Sequence, residues 1–461
     1  MLSKDNIRNA LQTGNGAVNA LLRSKDDSNH IRFVLENLGF LPDDFDGSVV
    51  RQFLQHRQAN IRLLAIKNLG KLKTLAYLED LSCAAFTDAN TNVRREAVSA
   101  IGRMRSKRAW DVLMRALEDE DPKIVCQAIR GLLVFKGEKK IDDALQSLSR
   151  HENETVRQII AREYQPASVT RTAPFQPHTA VNDCLKNVIV CGDTIEVMRC
   201  LSAESIHLTF TSPPYYNARD YSIYPSYEKY LSFLEEVFRE VYRITKEGRF
   251  FVLNTSPVIV PRVSRAHSSK RYPIPFDIHP RLIKMGWDFV DDIVWQKPES
   301  SVKNRVGGFM QHRKPLGYKP NPVTEYLMVY RKTTTRLLDW NMRQYDRKTV
   351  EESKVKGDYE TTNVWQIDPC FNKVHSAVFP KDLCKRVIQY YSYQGDVVFD
   401  PFAGSGTVGR VAKNLKRHFF LTEKDKTYFS YMQSQKREPL LDNTPTRFLS
   451  LKKFAETVSC Q

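Results

Sequence analysis

The sequence predicts two folds in one chain: an all-α solenoid over residues 1–165 and, after a linker at 166–182, an α/β domain over 183–461 with a mostly parallel sheet and helices on both faces. Three observations predict it. A period of about 32 residues runs through the first third, an aperiodic stretch bearing Pro166, Pro174 and Pro177 follows, and beyond it short β-rich runs alternate with helical patterns. The chain has 461 residues, 41% of them hydrophobic, which is ample for buried cores. It carries 70 Lys and Arg against 53 Asp and Glu, and this surplus of 17 positive charges favours a polyanionic partner. No stretch approaches a membrane span and the N-terminus lacks a signal-peptide pattern, so no membrane contact and a cytoplasmic location are expected. The eight cysteines form no CxxC pair, which argues against a zinc site or a disulfide framework.

The repeats come first. Segments starting at Asn60, Asn92, Lys123 and Thr155 align, with Ala65, Ala97, Ala128 and Ile160 at one register. Turns rich in Asp, Asn or Pro, at 88–90 and 119–122, separate apolar stripes at helical spacing. Such a two-helix unit buries its face only against its neighbours. The region from about Val49 to Gln165 resembles a HEAT-type solenoid, and nothing in it suggests chemistry.

In the second part the runs NVIVCGD, SIHLTFTSPPY, GRFFVLNTS, FVDDIVWQKP, TEYLMVYRK, DVVFDPFAGSGT and HFFLTE read as strands, and YLSFLEEVFREVYRIT as a helix. Ligands of such sheets bind beyond the carboxyl ends of the strands, so the tails of these runs hold the candidate site. In DVVFDPFAGSGT a buried strand ends at Asp400, a turn carries Gly404 and Gly406, and a helix starts near Thr407. The next strand ends in Glu423, where a carboxylate can accept from both hydroxyls of a ribose. That pattern fits an adenosine-containing cofactor.

The second feature is Thr211-Ser212-Pro213-Pro214-Tyr215 at another strand end. Two prolines fix φ and remove two donors, which leaves carbonyls free to accept. Ser212 adds a hydroxyl and Tyr215 a flat π face. The loop can therefore grip an exocyclic amino group while the ring carrying it stacks, which methylating a base nitrogen requires.

With these blocks the chain resembles the β-class DNA amino-methyltransferases over about Asn187 to Met432. CysGlyAsp at 191–193, TSPPY at 211–215, VWQKP at 294–298 with SSVKNR at 300–305, HSAVFP at 375–380, DPFAGSGT at 400–407 and Glu423 carry the resemblance. Asn304 stands where the family usually has Asp, and Ser376 where it has Pro. The resemblance implies a Rossmann-like methyltransferase fold and S-adenosyl-L-methionine bound by Asp193, Phe379, Pro380, Asp400, Phe402, Gly404, Ser405, Gly406, Thr407 and Glu423. It implies Ser212, Pro213, Pro214 and Tyr215 as the catalytic loop. Ser before PPY resembles the cytosine-N4 enzymes, and Asp there is usual in adenine-N6 enzymes, which stay the alternative. The expected partner is double-stranded DNA with the target base flipped out, at a few kcal/mol of unstacking. The implied setting is a prokaryotic, nucleoid-associated modification enzyme of a restriction system.

Two basic segments are expected to touch phosphate. Pro261 to Pro273 holds Arg262, Arg265, Lys270 and Arg271 with no acid. Lys297 to Lys356 has 14 basic and 6 acidic residues, among them Lys303, Arg305, Arg313 and Lys314. The resemblance puts target recognition at about 299–371. Pro369-Cys370 imitates a cytosine-C5 nucleophile but has no matching flanks, so Cys370 is expected to be indifferent. An NAD-dependent oxidoreductase would use the Gly404, Gly406, Gly409 spacing but leaves the SPPY loop without a purpose. A non-catalytic DNA-binding scaffold leaves both loops unexplained. The repeats are expected to contact DNA or a protein partner.

Overall fold

The computed structural model describes residues 2–25, 27–42, 44–164, 177–217, 224–260, 270–302, 315–316, 320–370, 379–435 and 445–459. The chain divides into two compact units, Met1–Val169 and Thr170–Gln461.

The first unit is all helical among its described residues. The repeat register places Ala65, Ala97, Ala128 and Ile160 in its core, at most 2% exposed. Small residues at that register let successive helices approach closely. A Cβ built on Gly131 would lie 2.9 Å from Gly102 Cα, so neither glycine can be enlarged without moving a helix. The polar turns also bind across the repeat. Asp88 takes both Arg62 Nε and Nη2 at 2.7 Å, and Asp121 takes Arg95 Nε at 2.8 Å while capping the helix Pro122–Leu132 through Lys123 N. Helices also precede Val49: Lys4–Thr13, Asn15–Arg23 and Ser28–Asn37 join the same core through Ile7, Val18, Leu22, Val34 and Leu35. Their irregular spacing hides them from a periodicity argument.

The second unit is built on a nine-stranded sheet. Its strands are β1 Val188–Cys191, β2 Ile206–Thr211, β3 Thr245–Thr255, β6 Trp287–Gln296, β7 Thr324–Lys332, β8 Val364–Gln366, β9 Val397–Asp400, β10 His418–Glu423 and β11 Arg447–Ser450. The spatial order is β11-β1-β10-β9-β2-β3-β7-β6-β8, and a separate two-stranded ribbon pairs β4 Val258–Val260 with β5 Lys270–Tyr272. All neighbours in the large sheet are parallel except β7, which runs against both β3 and β6. Alternate side chains feed two apolar layers. Val397, Phe399 and Phe420 pack with the helices Tyr227–Ile244 and Ile274–Met285, whereas Val398, Phe419 and Leu421 pack with Lys381–Tyr391 and Thr407–Asn414. Connections leave in opposite directions from β9, towards β10, and from β2, towards β3. A crevice therefore opens at the carboxyl ends of β2 and β9.

At the amino ends of the same strands lies a buried charge cluster. Arg249 and Asp396, 3% and 1% exposed, are ion-paired, and Asp396 also accepts from Tyr345 Oη at 2.5 Å and Tyr393 N at 2.8 Å. Residues 165–176, most of the expected linker, lie outside the described residues. Its last part is bound to the sheet domain: Lys246 Nζ donates to His178 O at 2.9 Å and Ala180 O at 2.5 Å. Among the described residues no helix is long and apolar enough to cross a membrane.

Truncating Asp396 strands a buried guanidinium, so Asp396→Ala is expected to cost about 3–5 kcal/mol. Urea unfolding of the two proteins checks this, and a loss below about 1 kcal/mol would assign the pair to the solvent-screened class.

Candidate functional site

The carboxyl edge collects the polar groups that the strand tails predict. β9 ends in Asp400 and β2 in Thr211, and Thr211 Oγ1 donates to Asp400 Oδ1 at 2.6 Å in the floor of the crevice. The same carboxylate oxygen accepts from Phe402 N at 3.0 Å, which fixes the start of the glycine turn. Burial pushes Asp400 up to about 7, against the two hydrogen bonds that favour its ionised form; the nearby Glu423 charge adds to the rise. A carboxyl group balanced near neutrality is a common mark of functional sites.

The glycine turn needs its glycines for two reasons. Gly404 and Gly406 have φ of +52° and +75°, in the left-handed region. A Cβ on Gly406 would also come within 2.7 Å of Met432 Sδ. Gly409 serves packing instead: a Cβ there would meet Leu421 Cδ1 at 2.7 Å, so it lets the helix Thr407–Asn414 lie against β10. Glu423, at the end of β10, accepts from Gly404 N at 2.8 Å and from Asp425 N at 2.8 Å. It thereby holds the glycine turn while keeping lone pairs free, and burial raises its pKa.

Other expected cofactor residues sit nearby with altered parts. Asp193 follows β1 and caps the helix Thr194–Arg199 through Ile195 N at 3.0 Å, with its other oxygen 3.4 Å from Lys424 Nζ. Ser405 and Thr407 are buried, and their hydroxyls face each other at 3.2 Å. Those two side chains shape the turn from inside. Phe379 stacks on Phe210 of β2 with centroids 4.7 Å apart, and Pro380 precedes the helix Lys381–Tyr391. Phe402 lies 6.1 Å from Phe233. The carboxyl groups of Asp193, Asp400 and Glu423 thus line the ends of β1, β9 and β10, a set of acceptors suited to hydroxyls.

Across the crevice, Ser212, Pro214 and Tyr215 are half-buried and Pro213 is buried. Tyr215 Oη donates to Glu325 Oε2 at 3.0 Å, and Glu325, at the start of β7, is ion-paired with Lys297 just after β6. Burial, then the Glu325 charge, holds the Tyr215 hydroxyl well above its ordinary pKa. Tyr216, the next residue, meets Tyr272 of β5 edge-on at 4.8 Å. This brings Lys270 and Arg271, exposed on the ribbon strand β5, next to the loop. Arg262, Arg265, Lys303, Arg305, Arg313 and Lys314 lie outside the described residues. Cys370 is exposed and belongs to none of these contacts. Thr211, Glu325 and Lys297 are functional candidates that the motif reading passed over. Thr211 stands inside the TSPPY block and Lys297 inside VWQKP, whereas Glu325 has only its place at the head of an apolar run.

A family model described as DNA methylase matches residues 206–434, and one for HEAT repeats matches 78–164. The orphan methyltransferase M.BamHII of Bacillus amyloliquefaciens is 31% identical over 242 residues, 49% of this chain and 86% of that protein. The type II β methyltransferase M.BslI of Bacillus sp. (strain NEB-606) is 27% identical over 53% of this chain and 27% of its own length. The type II methyltransferase M.MwoI of Methanothermobacter wolfeii is 29% identical over 51% of this chain and 31% of its own. The chain therefore spans less than a third of the length of these last two relatives.

Thr211→Val removes a donor that favours ionised Asp400, so the Asp400 pKa is expected to rise further above 7. A ¹³C carboxyl titration reads it, and an unchanged or lower midpoint would contradict the assignment.

Proposed function

Because the chain belongs to the N6/N4 DNA methylase family, we propose that it methylates the exocyclic N4 of cytosine in double-stranded DNA, with S-adenosyl-L-methionine as donor. The observation that carries this reading is the facing of two loops across one crevice: a glycine turn with acidic strand ends on β9 and β10, and an acceptor-rich Ser-Pro-Pro-Tyr loop on β2, joined by Thr211 and Asp400. The residues present fit the cofactor, since the glycine turn leaves the end of β9 at Asp400 and is held through Gly404 N by Glu423, and the flanking carboxylates suit ribose hydroxyls and a positive charge. When bound, S-adenosyl-L-methionine supplies an electrophilic methyl group on a sulfonium.

The chain's own residues do the rest. Asp400, Glu423 and Asp193 hold the donor, with Phe379, Phe402 and the Gly404–Thr407 backbone around it. The N4 lone pair of cytosine is delocalised into the ring and is a poor nucleophile. Hydrogen bonds from the amino group to Ser212 Oγ and Pro213 O favour a pyramidal nitrogen whose lone pair can attack. Orientation of this kind is worth roughly 7 kcal/mol or more in well-aligned cases. Tyr215 offers its ring face to the flipped base and offsets part of the unstacking cost. Ser212 before Pro-Pro-Tyr, where the adenine-N6 enzymes usually carry Asp, resembles the cytosine-N4 enzymes and supports cytosine as the target. Lys270 and Arg271, beside the loop, serve as phosphate contacts. The two type II relatives suggest a modification enzyme of a restriction system, and the repeats serve as a docking element for DNA or a protein partner.

Labelled S-adenosyl-L-methionine and genomic DNA, followed by digestion to nucleosides, are expected to give N4-methylcytosine. N6-methyladenine would move the target to adenine, and no incorporation into DNA would overturn the activity. Ser212→Ala and Tyr215→Ala are expected to lose turnover and to keep cofactor binding; loss of binding in both would contradict the assigned roles. The charge of Asp400 sets a pH dependence as well. A cationic cofactor favours the ionised carboxylate, so below about 7 its binding must displace a proton. Cofactor affinity is therefore expected to rise as pH increases through 7, and to lose that rise in Asp400→Asn; calorimetry at pH 6 and pH 8 decides it.

A further inference from the structure

The charge of the first unit is sorted by helix. In each repeat the second helix, Ala59–Leu72, Thr91–Arg103, Pro122–Leu132 or Glu154–Tyr164, packs beside its counterpart in the next repeat. These four helices carry ten Lys and Arg against three Asp and Glu, whereas the rest of residues 1–165 holds 16 basic and 19 acidic side chains. Five of the ten serve the repeats themselves. Arg62 is paired with Asp88, Arg95 with Asp121 and Arg103 with Glu96, and Arg94 and Arg157 donate to carbonyl oxygens of the turns before their helices. The others are Lys67, Lys71, Lys123, Arg130 and Arg162.

Three of these stand at one register. Steps of 32, 31 and 32 residues lead from Lys67 to Ser99, Arg130 and Arg162, and all three cations are exposed. One turn away on the same face lie Lys71 and Arg103 in one direction and Gln127 and Gln158 in the other. Arg103 Nε donates at 3.4 Å to Gly70 O, the residue before Lys71, so cations of neighbouring helices are gathered at one place. Desolvation, and then the charges of Lys67 and Arg103, hold the Lys71 ammonium below its ordinary pKa. At these registers the four helices place one carboxylate, Glu96, and it is already paired with Arg103. A single-sign face of this kind repels itself and attracts a polyanion. Among the described residues of this unit the exposed large hydrophobics are Phe40 and Val134. A protein interface centres on aromatic and apolar anchors, whereas a phosphate backbone asks only for cations and small polar groups.

We propose, on the reading that the chain acts on duplex DNA, that this face of the second helices is a track for the DNA phosphate backbone, with Lys67, Arg130 and Arg162 as its cations and Ser99, Gln127 and Gln158 as hydrogen-bond partners between them. Packed helices lie about 8–10 Å apart, so four in a row span roughly 25–30 Å, over which one strand of B-DNA presents about eight phosphates. Contacts of this kind are independent of base sequence. They hold the duplex without choosing the base, and they narrow the docking role of the repeats to one partner.

The test uses the full chain, a duplex of random sequence and two triple variants that remove the same charge. The face variant carries Lys67→Gln, Arg130→Gln and Arg162→Gln. The control carries Lys107→Gln, Lys139→Gln and Lys140→Gln, exposed lysines outside the four helices. Fluorescence anisotropy over a range of salt concentrations gives the slope of log affinity against log salt, to which each phosphate contact adds about 0.9 in magnitude. The face variant is expected to flatten that slope by about 2–3 at unchanged thermal midpoint, and the control by less than about 1. An unchanged slope in the face variant would overturn the proposal and leave the face to a protein partner or to solvent; an equal fall in both variants would overturn it too, as an effect of net charge alone. Lys67→Gln by itself, which relieves repulsion with Lys71, keeps the test decisive if the triple variant unfolds: a fall of about 0.9 is expected, and no fall overturns the track. Binding and turnover separate the two readings. A chain that transfers no methyl to DNA while the face variant flattens the slope leaves the track standing and overturns the function, whereas methyl transfer with an unchanged slope overturns the track alone.

Discussion

One hydrogen bond, from Thr211 to Asp400, ties the two halves of the candidate site together. β2 and β9 pair over only two registers, Leu208 with Val398 and Thr209 with Phe399, before the strands turn away into their loops. Beyond that point the Thr211 hydroxyl and the Asp400 carboxylate bridge the gap at 2.6 Å in a buried setting, where a hydrogen bond is electrostatically stronger than in water. Thr211 is bonded covalently to Ser212, and Asp400 accepts from Phe402 N at the mouth of the glycine turn. The placement of the Ser-Pro-Pro-Tyr loop relative to the glycine turn is therefore set from below by one pair of side chains. The cost is a carboxyl group whose charge is disfavoured by its own burial.

Stiffness for such an arrangement comes from the opposite edge. Arg249 on β3, Asp396 just before β9 and His207 on β2 meet there, completely buried or nearly so, with Tyr345 and Tyr393 closing the cluster. A buried ion pair is a poor source of net stability, since desolvation opposes it, but its geometry is demanding. Three of the four central strands are thus fixed in register at their amino ends. Their carboxyl ends can then carry unshielded polar groups without losing alignment, which is what a site built on rigid elements requires.

Much of this was legible in the sequence because backbone rules leave marks. The period of the repeats pointed to Ala65, Ala97 and Ala128, and all three are buried where helices cross. Gly404 and Gly406 stood out because their positions need positive φ, and the strand–turn–helix reading around them holds. The parts that stayed hidden are those set by distant partners. An apolar run has no direction, so TEYLMVYRK gave no sign that β7 reverses the sheet. β11 is a four-residue strand whose pairing with β1 comes from the far end of the chain. Lys297 stands in the VWQKP block and Glu325 at the head of TEYLMVYRK, and only the pairing of β6 with β7 brings the two together beside Tyr215. Ser405 and Thr407 sit in the expected turn but point their hydroxyls inward, a rotamer choice that no motif records.

The most direct test of the shared crevice is a crystal structure of the full chain with a non-reactive S-adenosyl-L-methionine analogue and a duplex containing its target site. The account predicts the analogue across the carboxyl ends of β9 and β10 and an extrahelical cytosine whose amino nitrogen lies within hydrogen-bond reach of Ser212 Oγ and Pro213 O. A base still stacked in the duplex, or an analogue bound away from Asp400 and Glu423, would contradict it.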